Sequence, residues 1–198
     1  MFREWGMEFA FTVGTESLTL RSPDPAMTKA FQQALNASYP QHAEFLAWAR
    51  PHTTEAQALE SLSRARDDFS SETGERRLFI ISADGQSILG CIGLKPRPRQ
   101  RFVVGYWANT EYSGKGYLRA ALTQLVKRLP DSTFYLTTSS ANTRSQRLAQ
   151  AAGFVRVRVH PQARHSPRHG VQDTYVYRLD AKRQAKKSPQ ERGRTVVS

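Results

Sequence analysis

Two hydrophobic periods divide this chain. The segment "ESLTLRS" (Glu16–Ser22) alternates apolar and polar side chains in the manner of a strand. Met27–Leu35 and Glu44–Ala49 then carry apolar residues at helical spacing, with Tyr39-Pro40 predicted to break the helix between them. After Pro51, "TTEAQALESLSRARDDF" predicts a longer helix capped by Thr53 or Thr54, with Leu59, Leu62 and Phe69 on its apolar face. The period then shortens to two. "RLFIIS" and "SILGCIGL" predict strands joined by a hairpin turn at Ala83-Asp84-Gly85-Gln86. The basic, proline-spaced segment Lys95–Arg101 links to a further strand, Phe102–Trp107. Leu118, Leu122, Leu125 and Leu129 form one stripe of a helix ended by Pro130. "TFYLTTS" is another strand, and Thr143–Ala152 is a short helix closed by Gly153. "FVRVRVH" and "VQDTYVYRL" finish as alternating strands around a loop at Pro161–Gly170.

The predicted order is one strand, two helices, three strands, a helix, a strand, a helix and two strands. Antiparallel runs with one strand–helix–strand crossover imply an α+β domain: a mixed, mostly antiparallel sheet flanked by helices. We expect an N-terminal extension over residues 1–16, one domain over 17–180, and a basic, disordered tail over 181–198.

Composition narrows the setting. At 198 residues the chain is long enough to bury a core, and no apolar run approaches the length of a membrane span. "MFREWGMEF" carries acidic residues and no apolar signal core, so no export signal is expected. The single Cys91 cannot form an internal disulfide, which suits a reducing cytoplasm, and its apolar context predicts a buried structural thiol. The net charge is +12 and the pI about 10.3, so polyanions are attracted. Ala181–Ser198 holds six Lys or Arg and one Glu, and further positive charge lies in "KPRPRQR" and among Arg156, Arg158, Arg164 and Arg168. His160, His165 and His169 do not fall on one element with a Cys or carboxylate cluster, so no metal site is expected.

The stretch "GYWANTEYSGKGYLRAAL" (Gly105–Leu122) runs from a strand through a glycine turn into a helix. Helix N-termini leave N–H groups unpaired and carry partial positive charge, so Ser113, Gly114 and Gly116 would let an anion approach the backbone. A nucleoside-triphosphate loop would need Lys-Ser or Lys-Thr, whereas Gly116 is followed by Tyr117, and a dinucleotide fingerprint would need a third glycine. The residues alone also leave open an unliganded strand-to-helix turn.

Taken with the element order, the "GYW" strand, the "YSGKGY" turn and "NTRSQRLAQAAGF" resemble the GCN5-related N-acetyltransferases (GNAT), in the branch with the ribosomal-protein N-terminal acetyltransferases, over roughly Ser17–Leu179. That resemblance implies acetyl-coenzyme A as the acetyl donor. It implies a pyrophosphate held on the backbone of Ser113, Gly114, Lys115, Gly116 and Tyr117, and pantetheine paired along Tyr106, Trp107 and Ala108 of a splayed strand. It further implies that Asn142 and Ser145 carry part of the catalysis, Asn142 contacting the cofactor while capping its helix and Ser145 donating to the departing thiolate. Phe45, Leu46 and Trp48 fall where the family builds its acceptor wall; by spacing alone they read as core. The acidic residue that many relatives carry before the "GYW" core is replaced here by Phe102 and Val103. Glu111, His52, Glu44 or water are then the candidate bases.

The implied acceptor is a primary amine, foremost a protein N-terminus on an acidic or ribosomal protein. A small-molecule amine is the second reading within the enzyme class. A nucleic-acid-binding factor on the same scaffold is the alternative from another class, supported by the basic tail and loops but lacking an RNA-binding signature or helix-turn-helix.

Overall fold

The computed structural model describes residues 8–182. In chain order these form β1 (Glu8–Val13), β2 (Glu16–Arg21), α1 (Thr28–Phe45), α2 (Glu55–Ser70), β3 (Arg76–Ile81), β4 (Ile88–Arg97), β5 (Arg101–Ala108), α3 (Tyr117–Arg128), β6 (Thr133–Ser139), α4 (Thr143–Ala151), β7 (Val155–Ser166) and β8 (Gly170–Asp180). The strands make one sheet in the order β1-β2-β3-β4-β5-β6-β8-β7. Every neighbouring pair is antiparallel except β5 and β6. This is the expected single α+β domain.

Alternation along the central strands explains the layering. Leu78 and Ile80 of β3 join the cluster that holds Leu122 and Leu125 of α3, while Phe79 and Ile81 face the other way onto Phe31, Ala58 and Leu62 of α1 and α2. A sheet covered on both faces needs strands that are apolar throughout, which is why β3 and β4 read as nearly unbroken apolar runs. No described helix is long and apolar enough to cross a membrane.

Several local expectations are corrected. Pro40 does not break the first helix: α1 runs through it to Phe45. Phe31, Ala34, Ser38 and His42 form one buried stripe at helical spacing, and burial of that stripe outweighs the loss of one backbone bond. On α2 the buried face is Ala58, Leu62 and Ala65, with Leu59 44% exposed. Thr54 caps this helix in a reciprocal pair with Gln57. Glu8–Val13, placed within the N-terminal extension, is the edge strand β1, turned onto β2 at Gly14 (φ +59°). The loop assigned to Pro161–Gly170 is mostly strand, since β7 continues to Ser166 with register shifts that accommodate Pro161. The tail assigned from residue 181 begins docked: buried Ala181 donates to the Ser132 carbonyl at 3.1 Å, and Lys182 pairs with Asp131 at 3.0 Å. The rest of that tail lies outside the described residues.

Candidate functional site

Parallel pairing of β5 with β6 covers only Arg101–Val103 against Thr133–Tyr135. Beyond it β6 stays paired with β8 along its whole length, and β5 follows β4. The strands part, and the stretch Val104–Ala108 faces a wedge instead of a strand. Asn109, 3% exposed, holds the end of β5 on β4 by donating to the Ile88 carbonyl at 2.9 Å, while its Oδ1 accepts from Glu111 N.

The glycine turn follows at once. Gly114 (φ +85°) and Gly116 (φ +81°) both adopt left-handed backbone, and Gly116 is the N-cap of α3. No side chain caps this helix and no acidic residue lies in its first turn. A Cβ built on either glycine meets no protein atom within 4 Å. These glycines are therefore needed for their backbone angles and leave open space above the helix end, the arrangement that accepts an anion. Ser113 and Lys115 are exposed on the same turn. Tyr117 takes another part: its ring is buried in the core, with Lys115 Nζ 5.8 Å from the ring centroid, and its hydroxyl bonds Glu16. The Tyr112 hydroxyl is likewise engaged, with Ser87.

Across the wedge stands the N-terminus of α4. Asn142 caps it, accepting from Ser145 N at 3.0 Å. The Ser145 hydroxyl meets the Tyr106 hydroxyl at 2.9 Å, and Tyr106 also donates to the Ser145 carbonyl at 3.1 Å, so this pair bridges β5 and α4. Burial pushes the Tyr106 phenol up to about 12, with the Ser145 bond lowering it and nearby Tyr177 raising it. The Tyr177 hydroxyl is buried beside them without a hydrogen-bond partner. The structure thus joins Tyr106 to Ser145 and its cap Asn142, while Trp107 packs on the α1 side against Phe31 and His42, Ala108 is held by His42, and the Ser113–Gly116 turn follows the same strand.

On the opposite face of β5 lies a cavity of about 660 Å³ between α1, α2, β4 and β5. Leu46 and Trp48 line it, but Phe45 does not: it stacks on His169 at 5.2 Å. Glu44 is bound to His169 at 2.8 Å, sits 3.7 Å from Arg168 and lines no part of the cavity. Glu111 and His52 are exposed and line no part of the cavity. Cys91 is buried at the cavity wall and burial pushes its thiol up to about 12, the inert state expected of it.

Two cavity residues escaped the sequence reading. His42, 6% exposed, donates from Nε2 to the Ala108 carbonyl at 2.9 Å and packs edge-on against Trp48 and Trp107. It thereby occupies one backbone group of the splayed strand. The second is Glu75, just before β3. The spacing of His42 on the Phe31–Ala34–Ser38 stripe was the available signal for the first; nothing local marks the second.

Burial lowers the His42 pKa below the usual 6.5, with the Ala108 bond opposing. Above 6.5 the ring is neutral whether the chain is folded or not. As pH falls below that value the unfolded chain takes up a proton that the folded one refuses, so stability drops until the lower folded pKa is passed. The slope is at most about 1.4 kcal/mol per pH unit. Urea unfolding between pH 7 and 5 should show a shallower acid loss for His42→Gln than for the parent; equal slopes would show that the ring is not shielded.

Comparison with known proteins agrees with this geometry. The profile of the acetyltransferase (GNAT) domain matches residues 17–155. Comparison with curated protein sequences returns no significant match. Among solved structures, the microcin C7 self-immunity acetyltransferase MccE, in complex with acetyl-CoA and AMP, is similar at TM-score 0.74 and 20% identity, covering 85% of this chain and 94% of that one. RimL, a ribosomal L7/L12 α-N-protein acetyltransferase in complex with coenzyme A, is similar at TM-score 0.75 and 16% identity, covering 88% and 99%. The ribosomal-protein-S5-alanine acetyltransferase from Vibrio fischeri is similar at TM-score 0.71 and 14% identity, covering 87% and 97%. With its family profile matched over most of its length, and the splayed strand, glycine turn and capped crossover helix in place, the chain belongs to the GNAT acetyltransferase family.

Proposed function

We propose that this protein transfers the acetyl group of acetyl-coenzyme A to a primary amine, with a protein N-terminus as the preferred acceptor. The observation that carries the reading is the arrangement around β5: the wedge and its anion-ready turn open on one side, and the 660 Å³ cavity on the other, so both reach Tyr106 and Trp107. Backbone amides of Ser113–Tyr117 would hold the donor's pyrophosphate, and the edge of Tyr106–Ala108 that β6 leaves free, apart from the Ala108 carbonyl held by His42, would align its pantetheine arm. Bound donor supplies the thioester carbon. Ser145 returns a proton to the departing sulfur, oriented by Asn142 through its cap and by Tyr106 through their hydroxyl pair.

A cavity of this size suits the first residues of an extended peptide, and Trp48, 50% exposed, lines it as a surface on which a longer chain can rest. The fold-level likeness to RimL and to the S5-alanine enzyme supports a peptide acceptor. The aromatic wall of Phe31, His42 and Trp107 favours, as a second reading, a small-molecule amine. The lone buried Cys91 supports a reducing, cytoplasmic setting. The deciding experiment measures coenzyme A release with a panel of peptides differing at their first two residues, beside polyamines, amino acids and aminoglycosides. Turnover confined to peptides with free α-amines is the expected result; turnover confined to small amines would replace the first reading with the second.

A further inference from the structure

We propose that Glu75 is the proton acceptor for the incoming amine, seated on Gly93 at the floor of the cavity; the inference rests on the amine-acceptor reading above. Gly93 of β4 pairs with Gly105 of β5 on one side and with Arg77 of β3 on the other. A Cβ on Gly93 would collide with Glu75 Oε1 and lie 2.9 Å from its Cδ, so the glutamate lies across this glycine. A Cβ on Gly105 would meet nothing within 4 Å. Two glycines side by side thus make a bare floor, one covered by a carboxylate and the other open.

The open glycine is the residue before Tyr106, where the thioester is to lie. Directly opposed antiparallel residues are about 4.5–5.5 Å apart, so the carboxylate over Gly93 lies one strand spacing from the open floor at Gly105, close enough for an amine or a bridging water there to meet it. Other charged groups facing the cavity are accounted for. Arg77 Nε, buried without a hydrogen-bond partner, is 3.9 Å from Glu75, and the Arg77 fork also reaches Asp68 at 3.8 Å. Glu60, the other acid lining the cavity among the described residues, is paired with Arg64 at 3.2 Å. Arg50 is exposed at the wall, and His42 from α1 is held by Ala108. Glu75 therefore supplies, from the segment just before β3, the carboxylate that Phe102 and Val103 of β5 do not.

Glu75 removes one proton from the bound R–NH₃⁺, and the nitrogen lone pair forms the C–N bond to the thioester carbon. The tetrahedral adduct collapses with cleavage of C–S, and a second nitrogen proton ends on the sulfur. The products are R–NH–CO–CH₃ and coenzyme A thiol, and Glu75 releases its proton to water.

The test uses the full chain and an α-amine acceptor identified by the panel, followed from pH 6 to 10. An α-amine of pKa about 8 is only about one-tenth neutral at pH 7, so E75Q should lose about tenfold in kcat/KM there, about twofold at pH 8 and nothing by pH 10. Its acetyl-coenzyme A affinity should be unchanged. G93A keeps the glutamate and displaces only the end of a flexible side chain, so it should fold and show the same pH-dependent loss. The double variant should be no worse than E75Q. An E75Q rate equal to the parent, or a loss independent of pH, would overturn the proposal even if the amine reading stands. A parent that binds acetyl-coenzyme A but acetylates no amine would instead remove the amine reading, and this proposal with it.

Discussion

Gly116→Val should weaken acetyl-coenzyme A binding about 1,000-fold while leaving a folded protein. Gly116 is the N-cap of α3 at φ +81°, and a Cβ there touches no protein atom within 4 Å. The variant therefore has no neighbour to collide with inside the protein. Its strain is confined to the left-handed backbone, about 1–2 kcal/mol for an L side chain. The valine methyls would occupy the space in which phosphate oxygens meet the backbone amides of the turn. Losing two charge-assisted hydrogen bonds at about 2 kcal/mol each corresponds to about a 1,000-fold change in Kd. Calorimetric titration with acetyl-coenzyme A, with thermal unfolding run alongside, separates the two effects. Parent-like affinity in a folded Gly116→Val would show that the pyrophosphate lies elsewhere.

Ser145→Ala should lower turnover about 100-fold with acetyl-coenzyme A affinity nearly intact. General acid assistance is worth about 100- to 10,000-fold, and the low end applies because water can replace a hydroxyl in an open wedge. The Tyr106 hydroxyl shares the Ser145 proton network, and its phenol, at about 12, stays protonated at any working pH. Tyr106→Phe is then the informative partner: it removes the orienting bond but not the serine, and should cost less than Ser145→Ala. Asn142→Ala behaves differently again. It removes the cap on Ser145 N, at about 1 kcal/mol of stability, and should weaken donor binding as well as turnover. Turnover measured where chemistry limits the rate, with melting temperatures for all three, distinguishes these roles. Full turnover in Ser145→Ala would reduce it to a structural serine and shift the donor role to water.

Much of the site was legible because it is local. A left-handed glycine at a helix N-cap, an Asn three residues before a helical Ser, and a strand leading into the turn are all written within short windows. The acceptor side was not legible for the opposite reason. Pro40, read as a helix breaker, sits in a helix whose buried stripe is defined only by the sheet beneath it. Phe45, expected at the acceptor wall, is drawn off by His169, and Glu44, offered as a base, is taken by the same hairpin tip 125 residues away in sequence.

By itself, then, the order of residues determined most of the elements, the class of fold and the glycine turn before α3, because periodicity, capping and backbone angle are properties of neighbours along the chain. Tertiary structure alone decided where β5 leaves β6, which carbonyl His42 occupies, and which carboxylate enters the cavity. Each of these depends on groups far apart in sequence: His42 meets Ala108 66 residues on, and Glu75 reaches its place because Gly93, across a strand, has no side chain to exclude it. No window along the chain contains both members of such a pair, so packing is what brings the chemistry together.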